Sequence, residues 1–420
     1  MELSVVAYVR NGTKRGISMK ETLVVCMVLF GLIATAPFAC SADTIKVGIV
    51  DTYSGPPTVF TYDVRDGFAM AVSKINAKGG VLGKKIEFTT RDEKFKPDIA
   101  LAMARELVWR EKVDILVGTI SSGTALAVSQ FAKAEKIPFI ATFPKSDKLT
   151  GEAGHRYVFS MSETTTMATR AAAVALAKKP FVKYWIAGDD YEYGHEIGDN
   201  LWNELKKLKP DVQLVGQSWW KIGETDLVPY ITQIMAAKPD FVIVGTGGAS
   251  MVNFQKAAKL TGMSRKIPFY QHTAIEFSVL SALGMDAPEG VYGTVNYLFY
   301  YLDTPENKAF VNEFRKMYDR YPKIGALYGY MTGQFIAAAF QKAGKVDREK
   351  FVDAYEGMVL DSPVGKMEMR KCDHQVMLPM FWGVTKKSPR YKDFLIATDI
   401  QTIPAKDYMP SCEEVLAHRK

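Results

Sequence analysis

Two segments of the chain occur twice in related form, in the same order and at similar spacing. "DILVGTISSG" (Asp114 to Gly123) is matched by "DFVIVGTGGAS" (Asp240 to Ser250), and "KIPFIAT" (Lys136 to Thr142) by "KIPFYQHT" (Lys266 to Thr273). Each segment contains an apolar run typical of a buried strand, and one helical pattern separates the two segments in each half. The repeat predicts two lobes of one architecture.

Strand-like and helical patterns alternate along both halves. The apolar run Ile45–Val50 predicts a first buried strand. The following residues include an apolar stripe at helical spacing: Val64, Phe68, Val72 and Ile75. Gly79 and Gly80 end this helix, because glycine tolerates the left-handed backbone of a helix C-terminus, and a second strand begins near Ile86. Parallel strands need crossover helices, so the alternation predicts an α/β fold with a parallel-rich sheet flanked by helices in each lobe.

Loops at the carboxyl ends of these strands are the expected ligand-binding positions. In open parallel sheets, ligands bind where such loops lead into helix N-termini with free N–H groups. The loops Gly118–Thr124 and Gly245–Ser250 hold this position in the two halves. Ser121, Ser122 and Thr124 could cap the following helix, bind a ligand, or do both.

Aromatic side chains also follow several of the predicted strands. They are Tyr53, Phe60, Tyr62, Phe143, Tyr191 and Tyr193. Aromatic faces with a few polar groups are the usual lining of a small-molecule pocket. The sequence therefore favours a small-molecule site in a cleft between the lobes, although each ring taken singly fits ordinary packing.

The sequence gives little evidence for a catalytic or metal-binding motif. Gly245-Thr246-Gly247-Gly248 lacks the third glycine of a dinucleotide loop, and the chain has neither a P-loop nor a G-x-S-x-G elbow. The histidines are scattered: His155, His195, His272, His374 and His418. A hydrolase using Ser121 or Ser122 with His272 as base stays a remote alternative. We expect no metal, no cofactor and no enzymatic activity.

Residues 1–42 have the pattern of a secretory signal peptide. The apolar run Leu23–Ala36 follows basic residues and precedes the small residues Ala39–Ala42. Translation could start at Met19, and Cys40 raises the alternative of a lipid-anchored protein. No later stretch is apolar enough to span a bilayer, so we expect a soluble, periplasmic protein.

Cys372 and Cys412 are the cysteines that remain after signal removal. A pair in an oxidising compartment favours a disulfide, worth about 4 kcal/mol on the chain-entropy model. Two reduced cysteines remain the alternative, because spacing alone cannot bring their Cα atoms together.

Several motifs together resemble one protein family. They are "IKVGIVDTYSGP" (Ile45 to Pro56), "AVSKINAKGGVLGKKIEF" (Ala71 to Phe88), "VDILVGTISSGTA" (Val113 to Ala125), "GDDYEYG" (Gly188 to Gly194) and "KPDFVIVG" (Lys238 to Gly245). The chain resembles the type I periplasmic solute-binding proteins of ABC transporters, in the leucine/isoleucine/valine-binding family, over residues 44–400.

The resemblance implies two α/β lobes joined by three crossovers, which we place near Ser160–Thr164, Gly290–Asn296 and Ser362–Lys366. The implied division of the chain is a signal peptide over 1–42, an N-terminal lobe over 43–162 plus 294–364, a C-terminal lobe over 163–293 plus 365–400, and a tail over 401–420.

The resemblance also implies a set of solute contacts. Ser122 takes the place of the serine that holds the head group, Phe60 that of an aromatic lid, and Tyr193 that of the tyrosine before a glycine of the second lobe. The full candidate set is Tyr53, Phe60, Ser121, Ser122, Thr142, Phe143, Lys145, Tyr191, Tyr193, Gly247, Gln271 and His272.

The chain departs from the family pattern at the expected acidic residue. The stretch Gln271-His272-Thr273 holds no carboxylate to pair with an α-ammonium, and Gly247 stands in place of a second-lobe aromatic. A desolvated ammonium without its anion costs several kcal/mol. We therefore expect a neutral amide, or an aromatic or aliphatic carboxylate held by loop N–H groups, Ser122 and Lys145, rather than a branched-chain amino acid.

The implied function is to capture a small molecule between the lobes and deliver it to an ABC permease. A ligand sensor that feeds a signalling partner is the second possibility. The formal charge of +7 includes no long basic run, so nucleic acid is not an expected partner. We expect a monomer.

Overall fold

The computed structural model describes residues 44–55 and 58–419. The predicted signal peptide, the alternative start at Met19 and the Cys40 anchor lie outside these residues. The strands are β1 (Ile45–Asp51), β2 (Ile86–Asp92), β3 (Ile115–Gly118), β4 (Phe139–Ala141), β5 (Val158–Ser160), β6 (Lys183–Asp189), β7 (Gln213–Trp220), β8 (Phe241–Gly245), β9 (Phe269–Gln271), β10 (Val291–Val295), β11 (Val359–Ser362), β12 (Gly365–Met369), β13 (Val376–Met377), β14 (Met380–Lys386) and β15 (Ile396–Ile403).

Helices connect most of these strands. They are α1 (Thr58–Ala77), α2 (Pro97–Trp109), α3 (Ser122–Glu135), α4 (Thr165–Leu176), α5 (Glu192–Leu208), α6 (Val228–Ala237), α7 (Gly248–Leu260), α8 (Phe277–Leu283), α9 (Pro305–Tyr318), α10 (Ile324–Ala343), α11 (Arg348–Tyr355) and α12 (Cys412–Ala417), with short 3₁₀ turns at Met263–Arg265, Gly284–Asp286 and Ala405–Asp407. Within the described part of the chain, none of the helices has the length and apolar character needed to cross a membrane.

The two main sheets have the same strand order. The first runs β2-β1-β3-β4-β5 and is entirely parallel. The second runs β7-β6-β8-β9-β10 in parallel and adds β14 and β15 as antiparallel strands at one edge. The repeated segments form β3 and β8, and β4 and β9, so each pair holds the same place in its sheet. The predicted α/β fold with two similar lobes is confirmed.

Helix α1 ends where the double glycine predicts. Gly79 and Gly80 have φ of +100° and +79°, and the Gly80 N–H donates to the Ile75 carbonyl at 3.0 Å. Val64 and Phe68 on the apolar stripe are buried against α10. A Cβ at Gly329 of α10 would lie 1.9 Å from the Val64 carbonyl oxygen, so glycine is what allows this close helix packing.

The chain passes between the two sheets more than once. After β5, the chain leaves the first sheet and forms α4 and the strands from β6 through β10 of the second lobe. It then returns to the first lobe, where α10 packs against α1. The third crossing was predicted at Ser362–Lys366; these residues form the β11–β12 hairpin of a small antiparallel sheet, and β14 then joins the second main sheet. The lobe boundaries predicted from sequence stay predictions.

The C-terminal segment is fixed at several points beside these crossings. A disulfide joins Cys372 to Cys412, whose Cα atoms lie 5.9 Å apart, as predicted. Glu414 of α12 pairs with Arg170 of α4 at 2.8 Å. Beyond α12, the Arg419 guanidinium donates to the Thr150 carbonyl at 3.1 Å. The segment therefore contacts residues of both lobes.

Candidate functional site

The carboxyl-end loops of the two main sheets meet at a cavity of about 490 Å³, which we call the solute cleft. Switch points of strand order lie beside β1 in one sheet and β6 in the other, which is where open α/β sheets bind ligands. Seven of the residues predicted from sequence line it: Phe60, Ser121, Ser122, Lys145, Tyr191, Tyr193 and Gly247.

Four helices begin at the solute cleft: α3, α4, α5 and α7. The first-turn N–H groups of a helix and its dipole favour negative charge. Tyr191 and Gly247, the N-cap residues of α5 and α7, make no side-chain cap. Ser121 caps α3 by accepting from the Thr124 N–H at 3.4 Å, so this serine has a capping role at the cleft wall. The arrangement is suited to a bound anion.

Aromatic rings form the apolar wall on the first-lobe side. Phe60 packs on Phe143 with ring centroids 5.3 Å apart, and Phe143 packs on Tyr328 of α10 at 5.4 Å. The Lys145 ammonium lies 4.7 Å from the Phe143 centroid and 5.4 Å from that of Tyr328. Lys145 and Phe60 both line the cleft, so the cation can attract an organic anion while the Phe60 ring contacts the apolar body.

Glu163 is a buried carboxylate that joins the two lobes at the floor of this region. Its side chain is fully buried, and Oε1 lies 2.7 Å from Lys145 Nζ and 3.2 Å from His272 Nε2. The Tyr328 hydroxyl donates to Oε2 at 2.5 Å. Burial alone would raise the pKa of Glu163, but Lys145 and His272 outweigh it and lower the pKa to about 2. Burial lowers the pKa of Lys145, and Glu163 opposes that shift.

His272 connects Glu163 to the cleft wall. It is 1% exposed, and its Nδ1 lies 3.0 Å from the Tyr193 hydroxyl. Burial lowers the pKa of His272, so the imidazole is neutral at pH 7. The expected carboxylate is absent from the β9 loop, as the sequence indicates, and Glu163 supplies one to that loop from the first crossover.

The remaining predicted residues lie behind the cleft lining. Tyr53 packs on Tyr62 with centroids 5.7 Å apart, and Thr142 is buried. Gln271 donates to the Thr246 hydroxyl at 2.7 Å within the second lobe. Phe143 and His272 do not line the cleft, but each contacts a residue that does. Phe143 contacts Phe60, and His272 contacts Tyr193. As solute contacts, all members of the candidate set stay predictions.

Sequence reasoning did not identify several residues at the cleft. Phe95, Thr165 and Glu196 line it, while Glu163 and Tyr328 support Lys145. Phe95 is 53% exposed with a φ of +60°, which is unusual for an aromatic residue. Phe95 follows β2, whereas Glu196 and Tyr328 lie within helices, and single aromatic or acidic residues at such positions are too common to select a site.

Two buried carboxyl groups anchor the α3 loop from behind. Asp51 Oδ1 accepts from the Ile120 N–H at 2.9 Å, and Glu93 Oε1 accepts from the Thr124 hydroxyl at 3.2 Å. Burial raises the pKa of Asp51 to about 8 and that of Glu93 to about 7. The loop before α3 therefore rests on carboxyl groups whose pKa values burial raises towards neutral pH.

A larger cavity of about 780 Å³ lies under the C-terminal segment. On its wall, Arg170 pairs with Glu414 and Arg370 with Asp373. Arg419, also on the wall, donates to the Thr150 carbonyl at 3.1 Å. In the part of the chain that the structure describes, no three His, Cys, Asp or Glu side chains are grouped to hold a metal ion.

These features define a two-lobed α/β protein that encloses a small-molecule site between strand-end loops. The family model for periplasmic binding proteins matches residues 44–388, and the chain belongs to this family. The predicted family membership is confirmed.

Named relatives agree with this assignment. The chain is 25% identical over 357 residues to the leucine-, isoleucine-, valine-, threonine- and alanine-binding protein of Pseudomonas aeruginosa, covering 84% of this chain and 92% of that protein. A branched-chain amino acid ABC transporter protein of Rhodopseudomonas palustris is similar in fold, with a TM-score of 0.77, 24% identity and coverage of 90% and 100%. An ABC transporter solute-binding protein of the same species, in complex with p-hydroxybenzoic acid, gives a TM-score of 0.76, 25% identity and coverage of 86% and 98%.

Proposed function

We propose that this protein is the solute-binding component of an ABC transporter and that its solute is a small organic carboxylate with an aromatic or aliphatic body. The observation that carries the ligand class is the convergence of four helix N-termini on one cleft beside Lys145 and an aromatic wall. Dipoles and N–H groups would hold the carboxylate, and the rings would bury the apolar part. The p-hydroxybenzoic acid complex of the Rhodopseudomonas palustris protein supports the same ligand class.

An amino acid is the second candidate solute because acidic residues, Glu192 and Glu196, line the cleft. Glu196 of α5 lies there, and the Pseudomonas aeruginosa relative is named for amino acids. Burial raises the pKa of Glu196, with Asp147 and Glu192 acting in the same direction. The β9 loop holds no carboxylate to pair with an α-ammonium, so this candidate ranks second.

The mode of action we propose is closure of the lobes around the solute. Loops from both sheets line the cleft, so a bound solute adds contacts that exist only when the lobes are close and shifts the equilibrium towards the closed form. The closed, exported monomer would then dock on a permease at the membrane and release its solute unchanged. Catalysis, nucleic-acid binding and an attached cofactor play no part in this proposal.

Isothermal titration with benzoate, 4-hydroxybenzoate, hexanoate and leucine tests the ligand class. We expect a benzoate or the aliphatic acid to bind and leucine to bind weakly. Ser122→Ala should weaken carboxylate binding by about 1 to 3 kcal/mol if the hydroxyl is buried against the solute. Ser73→Ala, on the exposed face of α1, is the matched control. Tight leucine binding that Glu196→Gln abolishes would overturn the carboxylate proposal in favour of an amino acid.

A further inference from the structure

Three side chains form a continuous hydrogen-bonded series from the interlobe floor to the cleft wall. Glu163 Oε1 faces His272 Nε2 at 3.2 Å, and His272 Nδ1 faces the Tyr193 hydroxyl at 3.0 Å. Glu163 and His272 are buried, while Tyr193 lines the solute cleft. The series therefore connects a buried charge to a residue of the cleft wall.

The positions of the protons along this series follow from elementary chemistry. Glu163 is ionised, since Lys145 lies 2.7 Å away and the Tyr328 hydroxyl donates to its other oxygen. An ionised carboxylate only accepts hydrogen bonds, so the single N–H of the neutral imidazole must lie on Nε2. His272 Nδ1 is then an acceptor, and the Tyr193 hydroxyl must donate to it.

The Tyr193 hydroxyl has one proton, and His272 engages it. Its oxygen still has lone pairs, and no group in residues 44–55 and 58–419 donates a hydrogen bond to that oxygen. The Tyr193 hydroxyl can therefore accept a further hydrogen bond but has no proton left to donate. A solute atom beside it would gain by donating a hydrogen bond and would lose by presenting another lone pair.

We propose that Glu163 and His272 are positioning residues that fix the Tyr193 hydroxyl as an acceptor, and that the solute carries a hydrogen-bond donor, such as a hydroxyl or amino group, remote from its carboxylate. This inference rests on the proposed carboxylate site and narrows its ligand class. The carboxylate lies towards the α3 N-terminus and Lys145 of the first lobe, and the donor lies towards Tyr193 of the second. Because Tyr193 belongs to the second lobe, only a solute with such a donor would make this contact with that lobe.

The test compares benzoates that differ only in the ring substituent. Titration calorimetry at pH 7 measures Kd for the hydroxy, methyl and methoxy derivatives at ring positions 3 and 4. Methyl is close to hydroxyl in size and cannot hydrogen-bond, whereas methoxy only accepts. At the better ring position, we expect the hydroxy compound to bind about tenfold tighter than the methyl compound and the methoxy compound to gain nothing.

The variants distinguish a positioning role from a merely structural one. Their readout is the selectivity between the hydroxy and methyl compounds, which a loss of stability alone would leave unchanged. Tyr193→Phe should bring the hydroxy-to-methyl ratio close to one while the methyl compound still binds. His272→Gln can donate to Glu163 and accept from Tyr193, so it should keep most of the preference. His272→Leu removes the acceptor, frees the Tyr193 proton and should reduce the preference several-fold.

The outcomes distinguish this inference from the proposed function. Equal affinities in the unaltered protein, a preference for methoxy, or a ratio unchanged by Tyr193→Phe would overturn the donor requirement and leave the carboxylate site intact. If no benzoate, hexanoate or other simple carboxylate binds, the proposed function and this inference both fail. Even if the His272 variants do not fold, the relative affinities of the benzoates for the unaltered protein test the donor requirement.

Discussion

Glu163 and Lys145 form a buried ion pair, and replacing both should cost less than the sum of the two single replacements. In Glu163→Gln, the ammonium of Lys145, whose side chain is 14% exposed, loses its counter-ion. Removing one partner of a buried pair typically costs about 3 to 5 kcal/mol, because the remaining charge stays desolvated. Lys145→Met leaves Glu163 with His272 and Tyr328 and should cost less. The double variant removes both charges.

The magnitude can be worked from the carboxyl group itself. Its pKa is about 2 in the folded protein against an ordinary 4.5. At about 1.4 kcal/mol per pH unit, this difference corresponds to about 3 kcal/mol of stabilisation at neutral pH. Because the folded-state pKa is the lower one, this stabilisation is present above pH 4.5 and is lost as the pH falls towards 2. The free energy of unfolding of Glu163→Gln should therefore not show this loss as the pH falls from 4.5 towards 2.

Urea unfolding followed by tryptophan fluorescence at pH 7 measures all four forms of the cycle. We expect the double variant to be about 2 kcal/mol more stable than the sum of the single losses predicts. Losses that add to within about 0.5 kcal/mol would refute the reasoning, since they would mean that the two charges do not interact. An unchanged acid decline in Glu163→Gln would refute the assigned ionisation of Glu163.

Two further predictions concern stability. Burial raises the folded-state pKa of Asp51 to about 8 and of Glu93 to about 7, so the folded form holds protons that the unfolded form releases, and stability should decline as pH rises from about 4 to 8. Asp51→Asn and Glu93→Gln should each flatten that decline in denaturant melts across this range, and parallel pH curves for the variants would contradict the assignment. Replacing Cys372 and Cys412 by serine opens a loop with a sequence separation of 40 and should cost about 4 kcal/mol in the same melts. A loss below about 1 kcal/mol would show that the rest of the structure already restrains the loop.

The fold could be predicted from the sequence because its signals are local. The repeated strand segments, the helical stripe through Val64 and Phe68 and the double glycine each lie within a short window. The loops that form the cleft follow from the same signals, since parallel strands end at one edge. For this reason Ser122, Tyr193 and Gly247 could be placed near the solute cleft before any coordinates were known.

Glu163 could not be identified in this way. It contacts His272 and Tyr328 across 109 and 165 residues of sequence, so no spacing links it to either. Its partners Lys145, His272 and Tyr328 come from three separate elements, and only the crossing of the chain between lobes brings them together. The family pattern has a carboxylate on the β9 loop itself, the sequence shows that it is absent here, and a residue from another segment meets that loop instead.

The segment beyond β15 bears on how far the lobes can separate. Glu414 is bonded to α4 of one lobe, Arg419 to a loop of the other, and Cys412 is covalently attached beside the crossings. A motion that separates the Thr150 loop from α4 would have to break or stretch one of these attachments. Attachments of this kind would reduce the conformational freedom lost on capture and would let residues that never touch the cargo affect its release.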